Sequence, residues 1–216
     1  MPIENKKIQE ALKELRSESR KRNFNQSVEL IINLRDVDVK APEGRIQEVI
    51  ELPCPISKNV SICVLATGDM ALRARKAGAD IVLQREDIDN LANDKKKQRE
   101  IAKKADFFIA EAPLMPLVGR VLGPILGPRG KMPTPLPPTA NIEDAIERHR
   151  KMTGVRIRGQ PIIQSRIGTE DMTDEELIDN AQAVIRRVEG RLKRGTENIR
   201  SICLKTTMGP PIRLNR

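Results

Sequence analysis

Two polar segments near opposite ends of the chain carry the side chains best suited to bind a ligand. One segment starts a β-branched stretch at Phe24, and the other ends a similar stretch at Lys205. If the two pair in one sheet, they bring together the hydroxyls of Ser27, Thr206 and Thr207, the Glu29 carboxylate and the backbone at Gly209. Hydroxyls and carboxylates hydrogen-bond a ribose 2′-OH, whereas a carboxylate repels phosphate. The set therefore predicts an RNA site, with an ordinary polar sheet edge as the alternative.

The charge balance favours a polyanionic partner. The 216 residues include 39 Lys or Arg and 30 Asp or Glu, which gives a net charge of +9 and a pI near 9.7. Three Phe with no Trp or Tyr are too few to stack several bases. We therefore expect a nucleic acid to be recognised through its backbone, hydroxyls and shape.

Several other classes of protein are disfavoured. The three cysteines lack Cys-x-x-Cys spacing and His149 is the only histidine, so neither a metal site nor His-based catalysis is expected. His149, among charged neighbours, is predicted to be a solvated helix residue. No apolar run approaches the roughly 18 residues of a membrane span, and the start lacks a signal-peptide pattern. We expect a cytoplasmic protein without a membrane partner.

The Gly- and Pro-rich stretch that begins at Gly119 imitates a phosphate-binding loop at Gly130 and Lys131. The motif fails, because Ile125 stands where its first glycine belongs and Met132 replaces the Ser or Thr that binds magnesium. The strand at Val60 is not followed by a dinucleotide motif either. The basic residues of the stretch, Arg120, Arg129 and Lys131, either contact phosphates or belong to a Pro-stiffened loop packed on its own sheet.

The first and last parts of the chain have an α+β pattern. The predicted elements are a helix over 4–19, strands over 24–34 and 44–52 joined by a turn at 41–44, strands over 155–157 and 161–167, a helix over about 174–193 and a strand over 199–206. Each part is too small to bury a good core alone. We therefore predict one discontinuous domain of residues 1–56 and 157–216.

The middle of the chain alternates strands and helices, which predicts a parallel sheet. The predicted elements are strands over 60–66, 80–83 and 107–110, helices over 70–77, 95–104 and 141–152, a loop over 113–138, and Thr139 or Asn141 as the cap of the last helix. This pattern predicts a second domain, residues 57–156, inserted into the first.

Net charge is unevenly distributed between these segments. Residues 1–56 carry a net charge of 0, residues 57–156 carry +6 and residues 157–216 carry +3. Charge alone thus assigns nucleic-acid binding to the middle domain. The lysines at 95, 96, 97, 103 and 104 are equally explained as the solvated face of a helix.

Three separated motifs resemble the L1 family of ribosomal proteins. They are the strand that begins at Phe24, the Leu-Gly-Pro-Ile-Leu-Gly-Pro-Arg-Gly-Lys-Met-Pro run from Leu122, and Thr-Thr-Met-Gly-Pro from Thr206. The stretch from Met132 is similar to that of the archaeal branch. The resemblance implies an α+β terminal domain with a split antiparallel sheet and helices, and an inserted α/β, Rossmann-like three-layer domain that binds no dinucleotide.

The resemblance also implies a function and a set of site residues. The expected function is a non-enzymatic constituent of the large ribosomal subunit that binds stalk rRNA, assists release of deacylated tRNA from the exit site, and represses its own mRNA. It implies no cofactor and no obligate oligomer. The implied RNA-binding residues are Phe24, Ser27, Glu29, Arg166, Gly168, Ser201, Thr207, Met208 and Gly209. Asn23 stands where some members have a Lys that contacts phosphate.

These expectations assign rRNA binding to the less basic terminal domain, against the charge count. Two alternatives remain open from the residues. One is a small-molecule enzyme that uses the cleft between the domains, and the other is a regulatory mRNA-binding repressor outside the ribosome.

Overall fold

Contacts within the chain separate it into two units. The structure is a computed structural model and describes residues 5–39, 41, 44, 46–56 and 60–214. Residues up to 58 and from 151 onward form one unit, and residues 59–150 form the other. They are called here the terminal unit and the middle unit.

The terminal unit is built on an antiparallel sheet. Its helices are α1 (Asn5–Glu18) and α8 (Asp174–Arg191), and its strands are β1 (Ser27–Leu34), β2 (Gln47–Glu51), β7 (Met152–Arg158), β8 (Gln160–Thr169), β9 (Ile199–Thr206) and β10 (Ile212–Leu214). The strand order is β10-β9-β1-β8-β7-β2, with antiparallel pairing throughout. The two ends of the chain therefore meet in the centre of this sheet, where β1 lies between β8 and β9.

One face of the sheet is covered and the other is open. Side chains alternate along β1, so that Val28, Leu30 and Ile32 are buried under the two helices while their neighbours are half-exposed. Helix α1 presents apolar residues from Ile8 to Leu15 at helical spacing. Helix α8 begins with a capping box between Thr173 and Glu176. The core of the terminal unit therefore lies between the helices and one face of the sheet.

The middle unit is built on a parallel sheet of order β4-β3-β5-β6. Its strands are β3 (Ile62–Leu65), β4 (Ile81–Leu83), β5 (Phe107–Glu111) and β6 (Thr134–Leu136), and its helices are α2 (Gly68–Lys76), α3 (Arg85–Leu91), α4 (Lys95–Lys104), α5 (Met115–Val121), α6 (Gly123–Arg129) and α7 (Ile142–Arg150). Strand β3 is buried on both faces. One apolar cluster joins its face to α2 and α7, and another joins the opposite face to α3–α6. The sheet therefore lies between two helical layers.

The predicted mixture of helices with antiparallel and parallel sheets is confirmed. The bounds differ in places: β1 begins at Ser27, so Phe24 precedes it, and α3 and β10 were not predicted. The strands β1 and β2 are not paired with each other. Of the turn predicted between them, residues 42 and 43 lie outside the described residues. The predicted cap Asn141 is confirmed, since its Oδ1 accepts from the Glu143 amide at 3.0 Å.

The prediction of a loop over 113–138 is wrong. Much of that stretch forms α5, α6 and β6. Pro116 and Pro124 lie in the first turns of α5 and α6, where the missing N–H costs nothing. Gly130 ends α6 in the left-handed region at φ 72°. Pro116 and Pro124 thus begin these helices and Gly130 ends α6, while Pro128 lies inside the last turn of α6.

The prediction that His149 is solvated is also wrong. Its side chain is 6% exposed and lies edge-on to Phe107 with the ring centroids 6.1 Å apart. Nδ1 lies 2.7 Å from the Ala145 carbonyl oxygen and Nε2 lies 3.2 Å from Thr134 Oγ1. His149 is thus a polar core residue whose two ring nitrogens each have a partner.

In the described part of the chain, no helix is long and apolar enough to cross a membrane.

Candidate RNA-binding surface

The pairing of β1 with β9 brings the two polar segments together. Val28 lies opposite Thr206, so Ser27 and Thr207, 180 residues apart, are in direct contact. The Ser27 amide donates to Thr207 Oγ1 at 3.0 Å, and the Thr207 amide donates to the Ser27 carbonyl at 3.1 Å. The end of the central strand pair therefore presents these residues side by side.

Two large apolar side chains are exposed in the same segments. Phe24, three residues before β1, is 50% exposed, and Met208, two residues after β9, is 60% exposed. An aromatic ring can stack on a base, and a flexible thioether adapts to irregular apolar surfaces. Both residues therefore provide apolar contact area beside the hydroxyls of Ser27 and Thr207.

Charged residues of opposite sign form a row across the open face beside these hydroxyls. Glu29 on β1 lies opposite Lys205 on β9 and Arg166 on β8. All three side chains are half-exposed. The Lys205 ammonium donates to the Thr207 carbonyl at 3.2 Å. A carboxylate between two cations offers an acceptor for a ribose hydroxyl next to two donors for phosphate.

Gln26, which no sequence pattern singles out, organises this end of the sheet. Its side chain is 1% exposed, and its Oε1 accepts from the Met208 amide at 3.1 Å. Its Nε2 lies within donating distance of Ser19 Oγ at 3.3 Å, the Arg20 carbonyl at 3.2 Å and Glu170 Oε2 at 3.3 Å. One buried amide thus links the segment after β9 to the end of α1 and to the segment after β8.

Not every predicted site residue is available to a ligand. The Thr206 hydroxyl, considered from the sequence, is 3% exposed and lies 3.2 Å from Ser19 Oγ. Gly209 and Gly168 are glycines for packing reasons, because a Cβ at Gly209 would overlap Thr206 Oγ1 and one at Gly168 would overlap Leu177 and Met172. Gly168 is buried beneath α8 and is therefore not exposed to a ligand.

Ser201 lies apart from the other predicted site residues. It shares the open face with Thr207 but precedes it by six residues, about 20 Å along the strand. Its Oγ accepts from Asn33 Nδ2 at 2.8 Å. The structure therefore brings together Ser27, Glu29, Arg166 and Thr207, and places Ser201 towards the opposite end of β9.

Lys131, considered from the sequence as a phosphate contact, has a structural role. Its ammonium donates to the carbonyls of Ala105 at 2.6 Å and Ala102 at 3.3 Å, at the end of α4. Burial lowers its pKa; the nearby negative charge of Asp106 opposes this effect and the positive charge of Arg129 adds to it. Lys131 satisfies carbonyls that α4 leaves unpaired at its C-terminus.

The parallel sheet has a carboxylate where nucleotide-binding folds of this type place a phosphate. The order β4-β3-β5 reverses direction between β3 and β5, which is where such sheets bind ligands. There the Glu111 carboxylate accepts from the Thr67 amide at 2.9 Å and from its hydroxyl at 2.8 Å. A phosphate at this position would meet that negative charge.

Within the described residues, no group of three or more His, Cys, Asp or Glu is arranged to hold a metal ion.

Comparison with known proteins identifies the family. The model of the ribosomal protein L1p/L10e family matches residues 12–210. The chain belongs to this family. It is therefore a ribosomal protein with a structural and not an enzymatic role, associated with the ribosome in the cytoplasm, as the sequence predicts.

Relatives across the archaea are similar over nearly the whole length. The large ribosomal subunit protein uL1 of Methanothermobacter thermautotrophicus is 44% identical over 207 residues, covering 96% of this chain and 98% of that protein. The proteins of the same name from Hyperthermus butylicus and Aeropyrum pernix are each 47% identical over 205 residues, covering 95% of this chain and 94% and 93% of theirs. The resemblance to the archaeal branch is thus confirmed.

Proposed function

We propose that this protein is a constituent of the large ribosomal subunit and that its terminal unit binds the rRNA of the mobile stalk. The observation that carries the proposal is the direct contact between Ser27 and Thr207, which joins two chain ends into one polar surface with Glu29 and Lys205. Exposed Phe24 extends that surface with an apolar ring.

The chemistry of this surface suits RNA in preference to DNA. The Ser27 and Thr207 hydroxyls and the Glu29 carboxylate are groups that a ribose 2′-OH can hydrogen-bond. Lys205 and Arg166 supply positive charge for neighbouring phosphates, and Phe24 and Met208 supply apolar surface for an unpaired base. Recognition would combine all three kinds of contact.

The distribution of charge supports binding by the terminal unit, which carries a net charge of +6 against +3 for the middle unit. Alternation and strand register place basic residues of four strands on the open sheet face. They are Arg156, Arg158, Arg166, Lys205 and Arg213. On the covered side, Glu48 of β2 forms ion pairs with Arg187 and Arg191 of α8. Glu29 and Glu51 lie on the same open face as the five basic residues, so these strands present a net charge of +3 there.

We further propose that the two units are domains with separate roles. The terminal unit would be the RNA-binding α+β domain, and the middle unit the inserted Rossmann-like domain. The units differ from the predicted domains by two residues at one boundary and by six at the other, where residues 152–156 are part of β7 and pair with β2. Release of deacylated tRNA from the exit site and repression of the protein's own mRNA are proposed on the family resemblance.

Binding to a stalk rRNA fragment tests the central proposal. The variants Thr207→Val and Met208→Ala should each weaken binding at least five-fold at moderate salt, because each loses a contact to RNA. Their matched controls, Thr139→Val and Met132→Ala, change the same exposed residue types in the middle unit and should bind as the wild type does. Equal binding to a scrambled hairpin, indifferent to all four variants, would refute the proposed specific site.

A further inference from the structure

Helices α4 and α6 of the middle unit line an open, strongly basic cleft of about 480 Å³. We call it the α4–α6 cleft. Its lining side chains are Lys95, Lys96, Arg99, Glu100, Lys103 and Arg129. Five are basic and one is acidic, a net charge of +4. The cleft lies in a unit to which the proposed rRNA surface does not extend.

The positive charges along one side of α4 destabilise this helix when no anion is bound. Lys95, Arg99 and Lys103 follow one another at four-residue spacing, so like charges are neighbours along one side of the helix. Within the described residues, none of these three forms an ion pair. The nearby Lys97, by contrast, pairs with the helix cap Asp94 at 3.6 Å. The repulsion on this side would be relieved by an external anion.

A side-chain contact links the two sides of the cleft. Lys131, just after α6, donates to carbonyls at the end of α4. On the buried side of α4, Gln98 donates to the Leu91 carbonyl at 2.6 Å and is 4% exposed. Arg129 is thereby brought to the cleft from a second element. The charges are consequently arranged on rigid helices before any partner binds.

We propose that the α4–α6 cleft binds the sugar-phosphate backbone of RNA, as a second contact outside the terminal unit. The lining lacks the aromatic and aliphatic anchors that dominate protein interfaces, and it matches a linear polyanion instead. Lys95 and Lys103 are about 12 Å apart along the helix, a span of three to four phosphates of one strand. Glu100 offers an acceptor to a 2′-OH.

The test compares two sets of charge-neutralising substitutions in the full chain. The cleft variant carries K95Q, R99Q and K103Q, and the control carries R75Q, K76Q and R85Q, an equal loss of charge on exposed residues of α2 and α3. Both should unfold in urea as the wild type does. Affinity for an RNA duplex without stalk sequence is measured between 50 and 200 mM salt.

Loss of three phosphate contacts should reduce the salt slope by about 2.7, so the ratio of wild-type to cleft-variant affinity should fall about 40-fold across that range. The control should keep the wild-type slope. An unchanged slope in the cleft variant, or an equal reduction in the control, would overturn the proposal. Stronger competition by poly-aspartate than by RNA would overturn it in favour of an acidic protein partner.

A stalk rRNA fragment separates this inference from the proposed function. The inference rests on the ribosomal role but not on the terminal-unit surface. The cleft variant should retain the preference for the stalk fragment that Thr207→Val weakens. If the wild type failed to prefer the stalk fragment while the cleft variant still lost salt-dependent duplex binding, the proposed function would fail and the cleft proposal would stand.

Discussion

Replacement of Gln26 by Leu should separate the positioning of the RNA surface from its contacts. The amide accepts from the Met208 amide and donates towards the Arg20 carbonyl and Glu170. Leucine keeps most of the volume but leaves these groups without their partner. Because an unsatisfied buried polar group costs about 1–3 kcal/mol, we expect the free energy of unfolding to fall by about 2 kcal/mol in urea titrations.

The effect on RNA binding follows from the segment that Gln26 anchors. Without that bond, the Met208 backbone must be ordered when RNA binds, at about 1–2 kcal/mol for one residue. This corresponds to roughly a five- to thirty-fold loss of affinity. The loss should appear in filter binding to a stalk fragment at a temperature where the variant is fully folded.

The matched control is Gln98→Leu in the middle unit. Gln98 is also a buried glutamine that donates to a backbone carbonyl, so its loss should lower stability similarly and leave stalk-fragment affinity unchanged. Wild-type affinity in folded Gln26→Leu would refute the positioning role. Unchanged stability in Gln26→Leu would refute the hydrogen-bond network itself.

Three further predictions concern other parts of the structure. Gly168→Ala should lower the free energy of unfolding by about 1–3 kcal/mol, because its Cβ meets Leu177 and Met172; a neutral effect in urea titration would show that α8 can shift. Thr173→Ala should lower the free energy of unfolding by about 1 kcal/mol through loss of the cap. Hydrogen bonds from Thr173 lower the pKa of Glu176 in the folded state, so the stabilisation by ionised Glu176 is present above its unfolded pKa and is lost as the pH falls through its folded pKa. The free energy of unfolding should therefore differ less between pH 7 and pH 3 in the variant than in the wild type. Cys63, whose pKa burial raises to about 12, should resist iodoacetamide at pH 8 until the protein unfolds, and mass spectrometry of native protein that shows its alkylation would contradict the buried position.

Strand alternation and the dipole-matched ends of α8 made much of the terminal unit predictable from sequence. The juxtaposition of Ser27 and Thr207 was expected if the terminal segments paired, and β1 and β9 do pair. Gln26 was not predictable, because its role depends on partners from three separate segments. No local pattern distinguishes such a glutamine from one that faces water.

The errors in the middle unit have identifiable causes. The loop prediction used the number of prolines in the stretch that forms α5 and α6 and not their positions. Pro in a first helical turn favours a helix. The charged neighbours of His149 suggested exposure, but Ile142, Ala145 and Ile146 precede it at helical spacing and mark its face as apolar. Periodicity, read before local charge, would have predicted its burial.

Net charge per segment was a poor guide to the proposed RNA surface because it depended on where the domain boundaries were drawn. With the boundaries of the two units, the terminal unit carries +6 and the middle unit +3, the reverse of the predicted segments. Folding also sorts charges by face. In the terminal unit, alternation directs Lys205 and Arg166 to the open face, while the acidic first turn of α8 lies on the covered side. In the middle unit, Lys131 bonds to carbonyls at the end of α4, whereas the basic cleft residues of α4 have no such partner among the described residues. A basic segment is therefore evidence for a polyanionic partner only after the charges with structural roles have been set aside. By that criterion each unit presents its own basic surface, and the salt dependence of the two sets of variants should distinguish them.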